Sequence, residues 1–139
     1  MVRGSLAEAE KAFRSAVKAA EDIDERDLAV AYNRVGDVPV AQGNLPEAFK
    51  FYRDSLAIVD RLAKTDPGNA GWQRDLAVSY GRVATVERRL NAREEAVRKF
   101  RLGRGIIEHL AQRSPNNTVL AKDLAWFNGC IADLTKIDT

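Results

Sequence analysis

Histidine and cysteine, the residue types that most often serve as nucleophiles, proton carriers or transition-metal ligands, each occur once in this chain. His109 lies in a stretch with helical spacing, and a lone helical histidine is usually structural or solvated. Cys130 lies near Trp126 and Phe127, with no lysine or histidine within a helical turn to activate it. We interpret it as a small buried residue. A metal site would need mostly carboxylate ligands, so the sequence predicts no enzymatic activity, no cofactor and no metal site.

Two short motifs resemble ligand or modification sites but lack the context that such sites need. The stretch 101–105 contains Gly-x-Gly, but Glu108 stands where the third glycine of a dinucleotide-binding loop would be, and no strand precedes it. Asn116-Asn117-Thr118 has the form of a glycosylation acceptor, although the sequence shows no secretion signal. Because Asn117 repeats Asn69, we predict that it caps a helix.

The overall composition is that of a folded protein without a membrane span. The chain has 139 residues, of which 45% are hydrophobic and 30% charged, which fits one globular domain. No apolar run approaches the roughly 20 residues that cross a bilayer. The N-terminal residues lack the apolar stretch of a signal peptide, which predicts a cytoplasmic protein. The net charge of +2 is too small to indicate a nucleic-acid partner.

A repeat of 48 residues organises the sequence. Residues 27–35 recur at 75–83, and Asp123-Leu124-Ala125-Trp126 follows another 48 positions on. The register holds without a gap in between, and the N-terminal stretch 4–9 joins the pattern by matching 43–48 at an offset of 39. Such self-similarity is typical of proteins built from stacked helical units.

Each unit contains two amphipathic stripes, so we predict a first-type and a second-type helix per unit. Gly43 suits a helix end, Asn44 suits a helix start, and Pro39 predicts a kink or an early end of the helix that contains it. The prediction is an all-α single domain, 1–139, with half a repeat, two full repeats and half a repeat at about 1–24, 25–72, 73–120 and 121–139. Six helices are predicted at about 5–23, 25–42, 45–64, 70–90, 93–113 and 118–136.

Aromatic and small residues recur at matching positions of the units: Tyr32, Val35, Gly36, Gly43, Ala48, Tyr52 and Ser55, then Tyr80, Val83, Ala84, Ala96, Phe100 and Gly103, with Gly4, Ala9, Phe13 and Ala16 in the first half-unit. Their spacing resembles the tetratricopeptide repeat. In the second unit Asn91 stands in place of the glycine of that family. The usual repeat has 34 residues, so the 48 residues here are closer to long-helix relatives such as the repeats of kinesin light chain.

The resemblance implies a right-handed α-solenoid of antiparallel helix pairs. It also implies a concave groove, lined by first-type helices, that holds a peptide or a helix of a partner protein. The residues that would face or flank this groove are Asn33, Arg34, Asp37, Arg82, Thr85, Arg88, Arg89 and Asp133.

Charge is spread unevenly along the chain. Residues 82–104 carry eight bases and three acids, a local charge of +5, whereas residues 8–27 carry seven acids and four bases, a local charge of −3. The basic run is either a solvated helical surface or a patch for an acidic segment of a partner. A nucleic-acid patch is the less favoured interpretation, because the run contains a single aromatic residue, Phe100, among its eight bases.

The leading hypothesis is therefore a non-enzymatic protein-binding scaffold whose partner is a protein or peptide, possibly acidic. The alternative is a self-assembling structural module or a fragment of a longer repeat array, because each terminal half-unit leaves an apolar face without its usual neighbour. On that alternative, Trp126 and Phe127 of the last helix are predicted to make contact between identical chains, giving a homo-oligomer.

Overall fold

The computed structural model describes residues 2–19 and 25–136, and over these residues it contains six α-helices and no β-strand. The predicted all-α class is therefore confirmed. The last five predicted helices agree with the structure to within one residue at each end. The first begins at Val2 rather than at residue 5, and its predicted end at residue 23 lies outside the described residues. The helices are α1 (Val2–Ala19), α2 (Glu25–Ala41), α3 (Leu45–Thr65), α4 (Ala70–Arg89), α5 (Arg93–Arg113) and α6 (Thr118–Thr135).

The C-terminal ends of α2 and α4 have the same hydrogen-bonded geometry. Gly43 has φ +76° and Asn91 has φ +65°, so both positions are left-handed. At each end the next backbone N–H reaches back to a carbonyl five residues earlier, in a Schellman motif: Asn44 donates to Pro39 and Ala92 donates to Glu87, both at 2.8 Å. Asparagine tolerates this conformation better than other non-glycine residues, so Asn91 can replace the glycine of the first repeat.

The N-terminal ends of α4 and α6 are capped by asparagine. The Asn69 side-chain oxygen accepts from the Trp72 backbone N–H at 3.0 Å, and the Asn117 oxygen accepts from Val119 and Leu120 at 3.0 and 3.2 Å. The predicted cap at Asn117 is therefore confirmed. Each cap satisfies backbone donors that the first helical turn leaves free.

The chain divides into two compact units, which we call the N-terminal unit (Met1–Ile58) and the C-terminal unit (Val59–Thr139). Within the described residues, no helix combines the length and apolar character needed to cross a bilayer. The single domain, the repeat boundaries and the right-handed sense of the solenoid stay predictions.

In the N-terminal unit, α1 and the first part of α3 run in the same direction. Glu10 pairs with Lys50 at 3.3 Å and Arg14 pairs with Asp54 at 3.3 Å, so four residues along α1 correspond to four residues along α3. Tyr32 of α2 meets α1, where its ring lies edge-on to Phe13 with centroids 5.5 Å apart. These contacts join two second-type helices to one first-type helix.

In the C-terminal unit the arrangement is reversed, with two first-type helices joined to one second-type helix. Arg74 of α4 pairs with Asp123 of α6 at 2.8 Å, and Arg88 pairs with Asp133 at 3.8 Å, so α4 and α6 run in the same direction. Arg93 at the start of α5 donates to the Leu134 carbonyl near the end of α6, so α5 runs the opposite way. The core of this unit consists of Ala77, Ala84, Ala96, Phe100, Ile107, Leu110, Leu120, Phe127 and Ile131.

Candidate partner-binding cleft

A cleft of about 950 Å³ opens in the C-terminal unit, between the start of α4, the second half of α5 and the start of α6. The turn between α3 and α4 forms one edge and contributes Pro67 and Gly68. Apolar side chains form its floor, and among the described residues no aspartate or glutamate lines it. The floor residues are Leu102, Ile106, Leu110 and Leu120.

Basic side chains line one wall of this cleft. Arg101, His109 and Arg113 follow one another on α5 at intervals of eight and four residues, and this spacing places them along one side of the helix. Over the part of the chain that the structure describes, none of the three forms an ion pair. Arg74 is the fourth base, but its guanidinium is held by both carboxylate oxygens of Asp123, at 2.8 and 3.2 Å. We call this site the cationic cleft.

Gly105 occupies the gap between Arg101 and His109 in the basic row. Apart from its own helix backbone and chain neighbours, a Cβ atom at this position would meet no atom of the described residues within 4 Å, so the packing described by the structure does not require glycine there. Glycine within a helix costs about 1 kcal/mol relative to alanine. The missing side chain leaves the cleft open between the two basic residues.

The capped helix starts add to the positive potential of the cleft. Ala70 and Gly71 begin α4, and Asn117 precedes α6, and all three line the cleft. The N-terminus of an α-helix carries a partial positive charge, because its first N–H groups point outward. Arginine side chains and helix ends therefore act in the same direction, towards binding an anionic group.

A second, shallower cleft of about 430 Å³ continues along the same face and shares Pro67, Gln73, Leu102 and Ile106 with the first. Tyr80 lies on its wall. Burial, together with the charge of Asp60, raises the pKa of the Tyr80 hydroxyl, so it stays a neutral hydrogen-bonding group at physiological pH. The two clefts together give room for an extended segment.

Three of the eight predicted groove residues belong to α2 in the N-terminal unit. Asn33 is half-buried, and its side-chain oxygen accepts no hydrogen bond from the described residues. Arg34 is exposed. Asp37 accepts a hydrogen bond from the Tyr52 hydroxyl, so this carboxylate also serves the packing of α3 on α2.

The other five predicted groove residues belong to the C-terminal unit. Arg88 and Asp133 are brought together as an ion pair, and the Thr85 hydroxyl donates to the Gly81 carbonyl at 2.7 Å within its own helix. Arg89 is exposed, whereas Arg82 is half-buried and its Nε atom is fully buried. A groove that joins all eight residues stays a prediction.

The two residues predicted to make contact between chains differ in exposure, and the self-association itself stays a prediction. Phe127 is only 2% exposed and packs inside its own chain, where a Cβ at Gly103 would lie 2.6 Å from its Cζ atom. Its ring fills the space left by that glycine, so it cannot contact a second chain. Trp126 keeps 48% of its surface exposed, although its ring edge rests on Gly81.

The lone cysteine and the lone histidine lie in different environments. Burial raises the pKa of the half-buried Cys130 thiol, which disfavours the reactive thiolate. His109 is exposed on the wall of the cationic cleft. Across residues 2–19 and 25–136, no group of three or more histidine, cysteine, aspartate or glutamate side chains could hold a metal ion.

Part of the cationic cleft was visible in the sequence. The i, i+4 spacing of Arg101, Gly105, His109 and Arg113 could have indicated a basic row on α5, and Arg101 already belonged to the basic run. The floor could not have been found in this way, because it depends on how α6 and the turn after α3 pack around α5.

No family model, curated protein or solved structure matches this chain. The likeness to tetratricopeptide repeats therefore depends on the residues quoted above.

Proposed function

We propose that this chain is a non-enzymatic, tetratricopeptide-like helical-repeat protein that binds an acidic segment of a partner protein in the cationic cleft. One observation carries the proposal. Three basic side chains without ion-pair partners in the described part of the chain line a wall above an apolar floor, and no acid lines the cleft.

The shape and chemistry of the cleft favour a peptide segment over a small enclosed ligand. The cleft is open to solvent and continues into the shallower one beside Tyr80. Arginine binds carboxylates through two parallel hydrogen bonds, which orients a ligand as well as attracting it. An occupant with apolar side chains facing Leu102 and Ile106, and with carboxylates facing Arg101 and Arg113, would match both surfaces.

The ion pairing and burial of the arginines favour the cationic cleft over the groove expected from the family resemblance. Arg88 of that groove already has Asp133 beside it, and Arg82 is half-buried. A partner carboxylate would have to displace Asp133 from Arg88, and it could not reach the buried Nε atom of Arg82. Arg101 and Arg113 are exposed, so they can bind a carboxylate without breaking an ion pair in the described residues.

Selection from a random displayed-peptide library tests this function. We expect the parent protein to enrich peptides that combine aspartate or glutamate with apolar residues. The double variant Arg101→Glu, Arg113→Glu should bind them at least about tenfold more weakly, because each charged hydrogen bond contributes about 1.5–3 kcal/mol when desolvated. The loss should shrink as salt is raised.

The matched control is Arg89→Glu, Lys122→Glu, which makes the same charge change at exposed positions outside the cleft. It should bind the selected peptides nearly as well as the parent. If this control loses binding while the cleft variant keeps it, the ligand lies near the predicted groove and the cationic cleft is the wrong site.

A further inference from the structure

One face of α6 is exposed although the matching face of α4 is buried. Ala77 and Ala84 of α4 have no exposed surface, and both belong to the core cluster that contains Ala96 of α5. Their counterparts 48 positions later, Ala125 and Ala132, are exposed. Within the described residues, α6 therefore has an uncovered face of the kind that α4 uses to bind a second-type helix.

Helix α1 shows the complementary situation. Ala48 of α3 and Ala96 of α5 are completely buried, whereas the matching residue of α1, Ala9, is exposed. Ala12 is also exposed, although its counterpart in α3, Phe51, has no exposed surface. Among the α1 side chains that the structure describes, the face that second-type helices turn towards their first-type partner is thus uncovered.

The two uncovered faces correspond to the two sides of one helix crossing. In the N-terminal unit, a Cβ at Gly36 of α2 would lie 2.7 Å from the Tyr52 ring and 3.1 Å from Phe51, so this small residue sits where α2 crosses α3. In the repeat, Ala132 of α6 is the counterpart of Gly36, and Ala12 of α1 is the counterpart of Phe51. The α6 side of this crossing thus keeps a small residue, as α2 does, whereas α1 has Ala12 where α3 has Phe51.

We propose that α1 of a second copy docks on this face of α6, in the arrangement that α5 has on α4. The α6 face is formed by Ala121, Ala125, Asn128 and Ala132, so no charge has to be desolvated there, and Asn128 is the one polar side chain of the four that needs a hydrogen-bond partner. The contact joins different surfaces of the two molecules. It is therefore heterologous and leaves one free α1 face and one free α6 face for further copies. It uses neither Arg101 nor Arg113 and is independent of the proposed function.

Sedimentation equilibrium of the whole chain, from micromolar to millimolar concentration, tests this contact. The parent should show an average mass that rises with concentration. Ala132→Arg and Ala9→Arg each block one face, so each variant alone should stay monomeric. Mixed in equal amounts, the two variants should form a dimer and nothing larger, because each retains one intact face. Gln112→Arg, which adds the same charge at an exposed site on α5, should associate like the parent.

Far-ultraviolet circular dichroism establishes that each variant keeps the parent's helix content. A variant that loses helicity is replaced by Ala125→Arg or Ala12→Arg, which block the same two faces. The proposal is overturned if the parent stays monomeric throughout. It is equally overturned if Ala9→Arg associates like the parent, which would indicate a contact between two α6 helices, or if the mixture gives no dimer.

Discussion

Positions 39 and 51 of the N-terminal unit correspond, 48 residues later, to positions 87 and 99 of the C-terminal unit. The first pair is Pro39 and Phe51, both almost completely buried. The second pair is Glu87 and Lys99, whose side chains are only 7% and 14% exposed and whose charged groups lie 2.7 Å apart. The repeat thus preserves burial at these positions while it exchanges an apolar pair for an ion pair.

A second pair of equivalent positions shows the same freedom. Ser55 of the N-terminal unit is completely buried and donates a hydrogen bond to the Ala29 carbonyl at 2.9 Å. Its counterpart is Gly103, where the ring of Phe127 occupies the neighbouring space instead. What recurs between the units is therefore the close approach of the helices, while the group that fills the gap differs.

The largest expected effect comes from removing the Phe127 ring, which fills the space beside Gly103. Phe127→Ala should lower the free energy of unfolding by about 3–5 kcal/mol, because it removes a buried ring and leaves a cavity beside Gly103. Ser55→Ala, at the equivalent place in the other unit, should cost only about 1 kcal/mol through one lost hydrogen bond. Urea unfolding followed by circular dichroism measures both. Equal losses would show that the two units do not fill this position differently.

The buried ion pair gives the next largest effect. Lys99→Met should cost about 3 kcal/mol, because it leaves the Glu87 carboxylate buried without its nearest cation. One Glu87 oxygen already has no hydrogen-bond partner among the described residues, so the pair is not fully compensated. The double variant Glu87→Leu, Lys99→Met, which imitates the apolar pair of the N-terminal unit, should recover most of the loss in the same unfolding experiment. A double variant as unstable as Lys99→Met would contradict the equivalence of the two positions.

Two glycines of α5 extend the comparison, because replacing each by alanine should change the free energy of unfolding in opposite directions. Gly103→Ala should destabilise by about 1–3 kcal/mol, because the new methyl group would overlap the Phe127 ring and lie 3.1 Å from the Ala77 carbonyl. Gly105→Ala should stabilise by about 0.5–1 kcal/mol, because nothing lies near it and alanine favours the helix. Thermal unfolding of both variants measures the signs. If Gly103→Ala also stabilises, the close packing at that position is refuted.

The smallest effect concerns pH and the N-terminal unit alone. Burial raises the pKa of Glu10, but hydrogen bonds from Arg14 and Lys50 outweigh it and leave the pKa below its usual value. A depressed folded-state pKa contributes stability that is present above the unfolded pKa of about 4.3 and is lost as pH falls through the folded value. Glu10→Gln should therefore lower stability at pH 7 by less than about 1 kcal/mol, the range of exposed ion pairs, and have little effect in strong acid. Urea unfolding at both pH values measures this, with the exposed Glu8→Gln as control. An equal loss at both pH values would contradict an ionic origin.

The helices and their ends could be predicted from the sequence, but the interactions of their buried side chains could not. Helix ends at Gly43 and starts at Asn117 follow from local backbone preferences, so their positions could be predicted from a few neighbouring residues. The Glu87–Lys99 pair could not, because its counterparts in the repeat are Pro39 and Phe51 and an exposed charge is the usual expectation. The burial of Phe127 could not be predicted either, because it depends on Gly103, which faces the ring from another helix.

The proposed function has its most direct test in the affinity of one selected acidic peptide for three proteins: the parent, Gly105→Ala and Gly105→Trp. Both substitutions enter open space, so the helix should tolerate them, but only tryptophan is large enough to fill the cationic cleft between Arg101 and His109. Fluorescence anisotropy should give nearly equal Kd values for the parent and Gly105→Ala, and a Kd at least about tenfold higher for Gly105→Trp, which corresponds to 1.4 kcal/mol or more. If Gly105→Trp binds the peptide as tightly as the parent does, the cationic cleft does not bind the partner.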